Sequence, residues 1–262
     1  MSELQWYQYG LIAVIFIWSG FVRSGLGFGG AVFALPFLLM IVNDPLIWLP
    51  LISVHLLFFS ALTVIQSHSK TVGAATATDG TIDWHYLRYA LAVMIVPKMI
   101  GVFGLITLPP TLLSGIIFFI VAAYSLTYIF NRSFNSNSKT LDIIFLALGG
   151  YISGTSLIGA PLITAVLANH INRHQLRDTL FALWFILVTI KMAAFIYVGV
   201  DLQLIHHLWL LPSAAIGHFI GLHIHNKMLE SDPKLFYRVL GIILLLTSSI
   251  GLWRSFNQPD IV

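Results

Sequence analysis

Three cations stand well inside apolar stretches of this sequence: Arg23, Lys98 and Lys191. A charge at that depth is costly and faces a protein interior or a wet cavity rather than lipid, which makes it a functional candidate by default. Every carboxylate lies in a polar loop or near the end of an apolar stretch, and Asp44, Asp142, Asp178 and Asp201 are the nearest to the apolar interior. Embedded cations without an embedded anion suggest that the counter-charge is a cargo. Arg23 stands two residues before Gly25, where a planar guanidinium can hold an oxyanion bidentately. The competing reading of Arg23 is a clamp on loose backbone carbonyls. Lys98 and Lys191 are candidates for the same binding role, set against snorkelling or pairing with carbonyls.

A second chemistry comes from glycine. Gly25-Leu26-Gly27-Phe28-Gly29-Gly30 holds four glycines in six residues, more than close helix packing requires. Unwound backbone at Gly25, Gly27, Gly29 and Gly30 would bring N–H groups to an anion, beside the positive ends of half-helices. Gly154 and Gly159 take the corresponding places later in the chain, and Ser24, Ser153, Thr155 and Ser156 would add hydroxyl donors. The hexapeptide also fits G-x-G-x-x-G, with Asp44 nineteen residues after Gly25, but no strand precedes it, so no dinucleotide site is expected. His55 and His218 lie in apolar stretches as candidates for proton coupling, the plainer alternative being hydrogen-bonded packing histidines. His170 and His174 have a helical metal spacing, but Arg173 and Arg177 beside them would repel a cation. No metal site and no cofactor are expected. Without cysteine, disulfides and thiolate chemistry are excluded.

The elements that must position these residues follow from composition. Of 262 residues, 58% are hydrophobic and 9% charged, far from the balance of a soluble domain, so the chain reads as an all-α integral membrane protein. A net charge of +3 is too weak for nucleic-acid binding. Apolar windows run Gly10–Val42, Leu46–Gln66, Tyr86–Leu108, Leu112–Phe130, Ile143–Ala168, Leu180–Val200, Leu208–His225 and Leu235–Trp253. Trp6, Trp48, Trp84, Trp209 and Trp253 near their ends suit the headgroup region. The first window is too long, and its leading residues too poor in Lys and Arg, for a cleaved signal peptide.

The halves resemble each other. A shift of 129 lays Gly20, Ser24, Gly25, Gly30 and Ala31 onto Gly149, Ser153, Gly154, Gly159 and Ala160. Each half later carries a helix with a proline and spaced glycines, Pro97 with Gly101 and Pro212 with Gly217 and Gly221, at a shift near 115. Two repeats, residues 1–135 and 140–256, make one membrane domain. If all eight windows cross once, Lys70, Arg88, Arg132, Lys139 and Arg254 oppose Arg173, Arg177, Lys227, Lys234 and Arg238, a tie that sets no orientation. If the first and fifth windows are instead re-entrant, broken near their middles into two half-helices, nine of these oppose Arg254 alone. The repeats are then inverted, both termini face outside, and the broken helices meet around a substrate near the midplane.

Gly25 to Gly30 with Pro36 beyond, the counterpart Gly154 to Pro161, and the two Pro/Gly helices resemble the TauE/SafE family of sulfite and organosulfonate exporters and permeases. The second-half motif departs from the family pattern, with Thr155, Ser156, Leu157 and Ile158 where more glycine is usual. The resemblance implies a multi-pass transporter of the bacterial inner membrane, not an enzyme, moving a small sulfur-containing anion such as sulfite or an organosulfonate by alternating access. Its expected partners are the small anion, the lipid bilayer and, as an open alternative, a second copy of the chain. An anion channel stays open as an alternative. An intramembrane enzyme would need a nucleophile–base set or H-E-x-x-H, and a histidine-based metal transporter would need an embedded carboxylate; neither is found.

Overall fold

The computed structural model describes residues 4–26, 29–72, 81–132, 134–230 and 234–257. They form ten α-helices: α1 (Trp6–Leu26), α2 (Leu35–Ile41), α3 (Pro45–Val72), α4 (Trp84–Thr107), α5 (Pro110–Ile129), α6 (Lys139–Ser156), α7 (Ala160–His170), α8 (Arg173–Val198), α9 (His207–Glu230) and α10 (Lys234–Asn257). A 3₁₀ turn at Leu204–His206 leads into α9. Among the described residues there is no strand, and six helices are long and apolar enough to cross a membrane: α1, the Pro45–Gln66 part of α3, α4, α5, α8 and α10. The helix starts are written locally. Prolines stand at the first turns of α2, α5 and α7, where a missing N–H costs nothing. Ser138 Oγ accepts from the Leu141 N–H and Asp83 Oδ1 from the Tyr86 N–H, satisfying free donors at the starts of α6 and α4.

Both long windows break where the glycines and prolines lie, but not into equal halves. The first becomes α1 and α2, of 21 and 7 residues; the fifth becomes α6 and α7, of 18 and 11. At 1.5 Å per residue α1 is about 31 Å long, a full bilayer core rather than half of one. The reason is that glycine alone does not end a helix: Gly25 lies inside α1, and Gly154 lies inside α6, which runs on to Ser156. In the second hairpin the break comes at Leu157, whose left-handed φ of 62° terminates α6.

The chain divides into two compact units. The first comprises Met1–Leu51, Thr107–Ser133 and Gln203–Val262. Its α1 lies against α9 so closely that a Cβ on Gly217 would meet the Ile17 carbonyl and one on Gly20 the Ala214 carbonyl. Small residues give such backbone-to-backbone approach in apolar surroundings. Along α5 and α10 the approach is looser, with Gly241 facing the Ser125 carbonyl, and Tyr128 stacks on Tyr237 with ring centroids 5.6 Å apart. The free carbonyls at two helix ends are met by arginines: Arg254 Nη1 donates to Met40 O of α2 (3.1 Å) and Arg238 Nε to Ile129 O of α5 (3.3 Å). These arginines therefore do more than report topology. Trp48 corrects the headgroup expectation for that residue. It is 0% exposed, and its indole N–H donates to Val42 O at 2.8 Å, so its polar edge is satisfied inside the protein. Trp6, Trp84 and Trp253 are exposed, as belt residues are.

The second unit comprises Ile52–Ile106 and Phe134–Leu202. Here α6 lies on α4 through Gly101, Gly150 and Gly154, whose missing side chains admit the carbonyls of Tyr151, Met94 and Lys98. The α6–α7 hairpin is tied at its open end, where His170 Nε2 and Asp142 Oδ2 are 2.9 Å apart and Tyr86 stacks on the imidazole at 4.8 Å. Each unit thus combines a broken hairpin from one half of the sequence with a Pro/Gly helix from the other half: α1–α2 with α9, and α6–α7 with α4.

Candidate anion-binding site

In the second unit the site starts from the face that Lys98 and Gly101 share on α4. Residues three apart lie on the same side of a helix. Gly101 admits the backbone of α6 there, and the same approach brings Lys98 to Ser153 of that helix. Lys98 Nζ donates to Ser153 Oγ at 3.2 Å and to Ser153 O at 3.4 Å. Lys191 of α8 belongs to the same unit. Both lysines are 0% exposed, and Lys191 Nζ has no hydrogen-bond partner among the described residues. The carboxylates buried in this unit are engaged elsewhere, Asp142 with His170 and Asp178 with Arg177.

The remaining candidates of this unit are placed in different ways. Gly154 packs against the Lys98 carbonyl, and Gly159 packs against the Gly149 carbonyl. Thr155 Oγ1 donates to Ile152 O (3.1 Å) and Ser156 Oγ to the same carbonyl (2.9 Å), so both hydroxyl protons are held by their own helix. His55, on the part of α3 that belongs to this unit, is buried.

The first unit repeats the arrangement with different chemistry. His218 and Gly221 are spaced on α9 as Lys98 and Gly101 are on α4, and the motifs His218-Phe219-Ile220-Gly221 and Lys98-Met99-Ile100-Gly101 lie 120 residues apart. Gly221 admits α1 at Phe21, Ser24 and Gly25, and His218 Nδ1 stands 2.5 Å from Ser24 Oγ. Ser24 and Ser153 are 129 apart, the spacing of the duplicated window. Arg23 precedes Ser24 in α1 and is buried. Gly29 takes a left-handed φ of 87°, and Gly30 approaches the Ser19 carbonyl, while its own carbonyl accepts from Ser19 Oγ at 3.1 Å. Gly25 ends inside α1, and Gly27 lies outside the described residues. The candidates therefore fall into two groups: Arg23, Ser24, Gly25, Gly29, Gly30 and His218 in one unit, and Lys98, Ser153, Gly154, Thr155, Ser156, Gly159, Lys191 and His55 in the other.

The pairing of His218 with Ser24 is absent from a residue-by-residue reading, although the signal was present. A basic residue three positions before a packing glycine occurs in both Pro/Gly helices, and aligning on that pair shifts the register from about 115 to 120. Among the described residues no group of three or more His, Cys, Asp or Glu side chains is placed to hold a metal ion. What the arrangement offers is donors and positive charge in a buried, apolar setting, which is the chemistry of anion binding.

A family model described as sulfite exporter TauE/SafE matches residues 11–250. No curated protein and no solved structure matches the chain.

Proposed function

From the chain's membership of the sulfite exporter TauE/SafE family, a family of membrane transporters, we propose that it is a carrier for a small sulfur-containing anion such as sulfite or an organosulfonate, bound at its broken hairpins. The observation that carries this reading is the repeated pairing of a hairpin serine with a buried basic residue, Ser153 with Lys98 and Ser24 with His218. Burying a cation without a carboxylate costs several kcal/mol, roughly, unless a ligand supplies the opposite charge. The duplicated hairpins support two inverted repeats and movement by alternating access. With nine basic residues on one face, the protein sits in the inner membrane of a bacterium with both termini outside.

Reconstitution into proteoliposomes tests the proposal. Uptake of sulfite, thiosulfate, taurine, sulfate and chloride is compared between wild type, Arg23→Ala and Ser24→Ala. Saturable uptake and counterflow of a sulfur anion are expected, reduced about tenfold or more by either substitution. Uptake that neither substitution alters would remove the hairpin from the site. Uptake without saturation or counterflow would favour a channel.

A further inference from the structure

We infer that His170 and Asp142 form a proton-operated latch on the α6–α7 hairpin, closed when the imidazole carries a proton and released when it is neutral. The inference concerns the hairpin itself and does not depend on which anion is carried. His170 stands in the last turn of α7 and Asp142 in the first turn of α6. Each helix end favours the charge placed there, a cation at a C-terminus and an anion at an N-terminus. His170 Nε2 and Asp142 Oδ2 are 2.9 Å apart. Tyr86 of α4 lies nearly flat on the imidazole, with ring centroids 4.8 Å apart and the planes 16° from parallel. A cation over an aromatic face is attracted to it, so this contact also favours the protonated ring.

Burial makes the pair sensitive to that proton. The Asp142 side chain is 7% exposed, and its Oδ1 has no hydrogen-bond partner among the described residues. A carboxylate in such a place depends on the cation opposite, because a buried charge that loses its partner is strongly destabilising. The His170 side chain is 39% exposed, so water can deliver and remove its proton. Imidazole changes charge between about pH 5 and 8. The tie is therefore complete at the lower end of that range and weakens as pH rises and the ring loses its charge. The other charged groups around the pair are exposed or engaged. Lys139 of α6, His85 and Arg88 of α4, and Arg173 and His174 of α8 are exposed, where salt and water screen them. Arg177 pairs with Asp178, Asp83 accepts from the Tyr86 N–H, and Tyr89 meets the Tyr86 ring. Asn169 Nδ2 donates to Ser136 O at 2.8 Å, a second tie at the same end that no proton alters.

The test uses the full chain in detergent with Ile171→Cys as the reporter. Ile171 follows His170, is 5% exposed, and as cysteine becomes the only thiol in the chain. Its rate of reaction with a maleimide is compared between the reporter alone and the reporter carrying His170→Gln, at about pH 5.5 and about pH 8.5. The ratio at each pH cancels the ionisation of the thiol. The latch is expected to slow labelling about three- to tenfold at the lower pH, as a part-exposed charged pair does, and by less than about twofold at the higher. Asp142→Asn should reproduce the effect of His170→Gln from the other side of the pair. Asn169→Ala should speed labelling by the same factor at both pH values. At the higher pH, where the latch is already open, His170→Gln should unfold within about 2 °C of the reporter, which shows that it is folded. Labelling ratios for His170→Gln and Asp142→Asn that are equal at the two pH values would overturn the latch and leave the pair a fixed structural contact.

Discussion

At the scale of single residues, the same amino acid does opposite things depending on what its α-carbon faces. Gly10 of α1 has open space around it, whereas a Cβ on Gly217 would meet the Ile17 carbonyl. Gly10→Ala is therefore expected to raise the stability by about 0.5–1 kcal/mol through helix propensity. Gly217→Ala should lower it by about 1–3 kcal/mol, because a backbone atom cannot step aside as a side-chain tip does. Thermal unfolding in detergent should show melting temperatures moving in opposite directions; a shared direction would contradict the α1–α9 approach. Ser24 gives a second prediction. Ser24→Ala leaves His218 Nδ1 without its 2.5 Å partner and should cost about 1–3 kcal/mol, measured by the same melts. Ser24→Thr, which keeps the hydroxyl, should recover part of it.

At the scale of elements, the short helix α2 shows how a seven-residue piece is held. Alone it would be far too short to persist in water. Its C-terminal end is closed by Arg254 on Met40 O and by Trp48 on Val42 O, two donors from distant or downstream segments. Arg254→Met is expected to cost about 0.5–1 kcal/mol, as loss of a cation at a helix C-terminus does. Trp48→Phe should cost more, about 1–3 kcal/mol, because it takes the hydrogen bond from the half-buried Val42 carbonyl and removes part of a fully buried ring. Chemical denaturation of both variants checks the order. The hairpins carry a similar lesson. That Gly154 and Gly25 lie near a break was legible in the sequence, but their helical conformation was not, since glycine permits both states and packing against α4 and α9 selects one.

At the scale of the whole molecule, the pattern of charges argues for a topology that labelling can check. The chain has no cysteine, so any introduced one is the only reactive thiol. Cysteines placed singly in the connection before α6 (residues 131–138) and in the turn between α7 and α8 (residues 171–172) are expected to react with an impermeant maleimide from the same face, the cytoplasmic one. Labelling from opposite faces would make the fifth window a single crossing and leave the positive charges evenly divided. The partition into compact units bears on function at this scale as well. Because each unit joins a hairpin of one half to a Pro/Gly helix of the other, the basic residue and the serine of each site come from different halves of the sequence.

The sequence by itself determined that the chain belongs in a membrane, where its apolar windows begin and end, that two of them break, and that Arg23, Lys98 and Lys191 are embedded. These properties are local: hydropathy, glycine and proline act on the residues beside them. Only the tertiary structure decided the partners. Lys98 meets Ser153 across 55 positions and Ser24 meets His218 across 194, through contacts between glycine-lined helix faces. Such faces look alike in sequence, because many small residues permit close approach and nothing in their identity says which backbone will arrive. The same holds for Trp48, which a window's edge assigns to the headgroups and which the fold buries on a carbonyl at the end of α2.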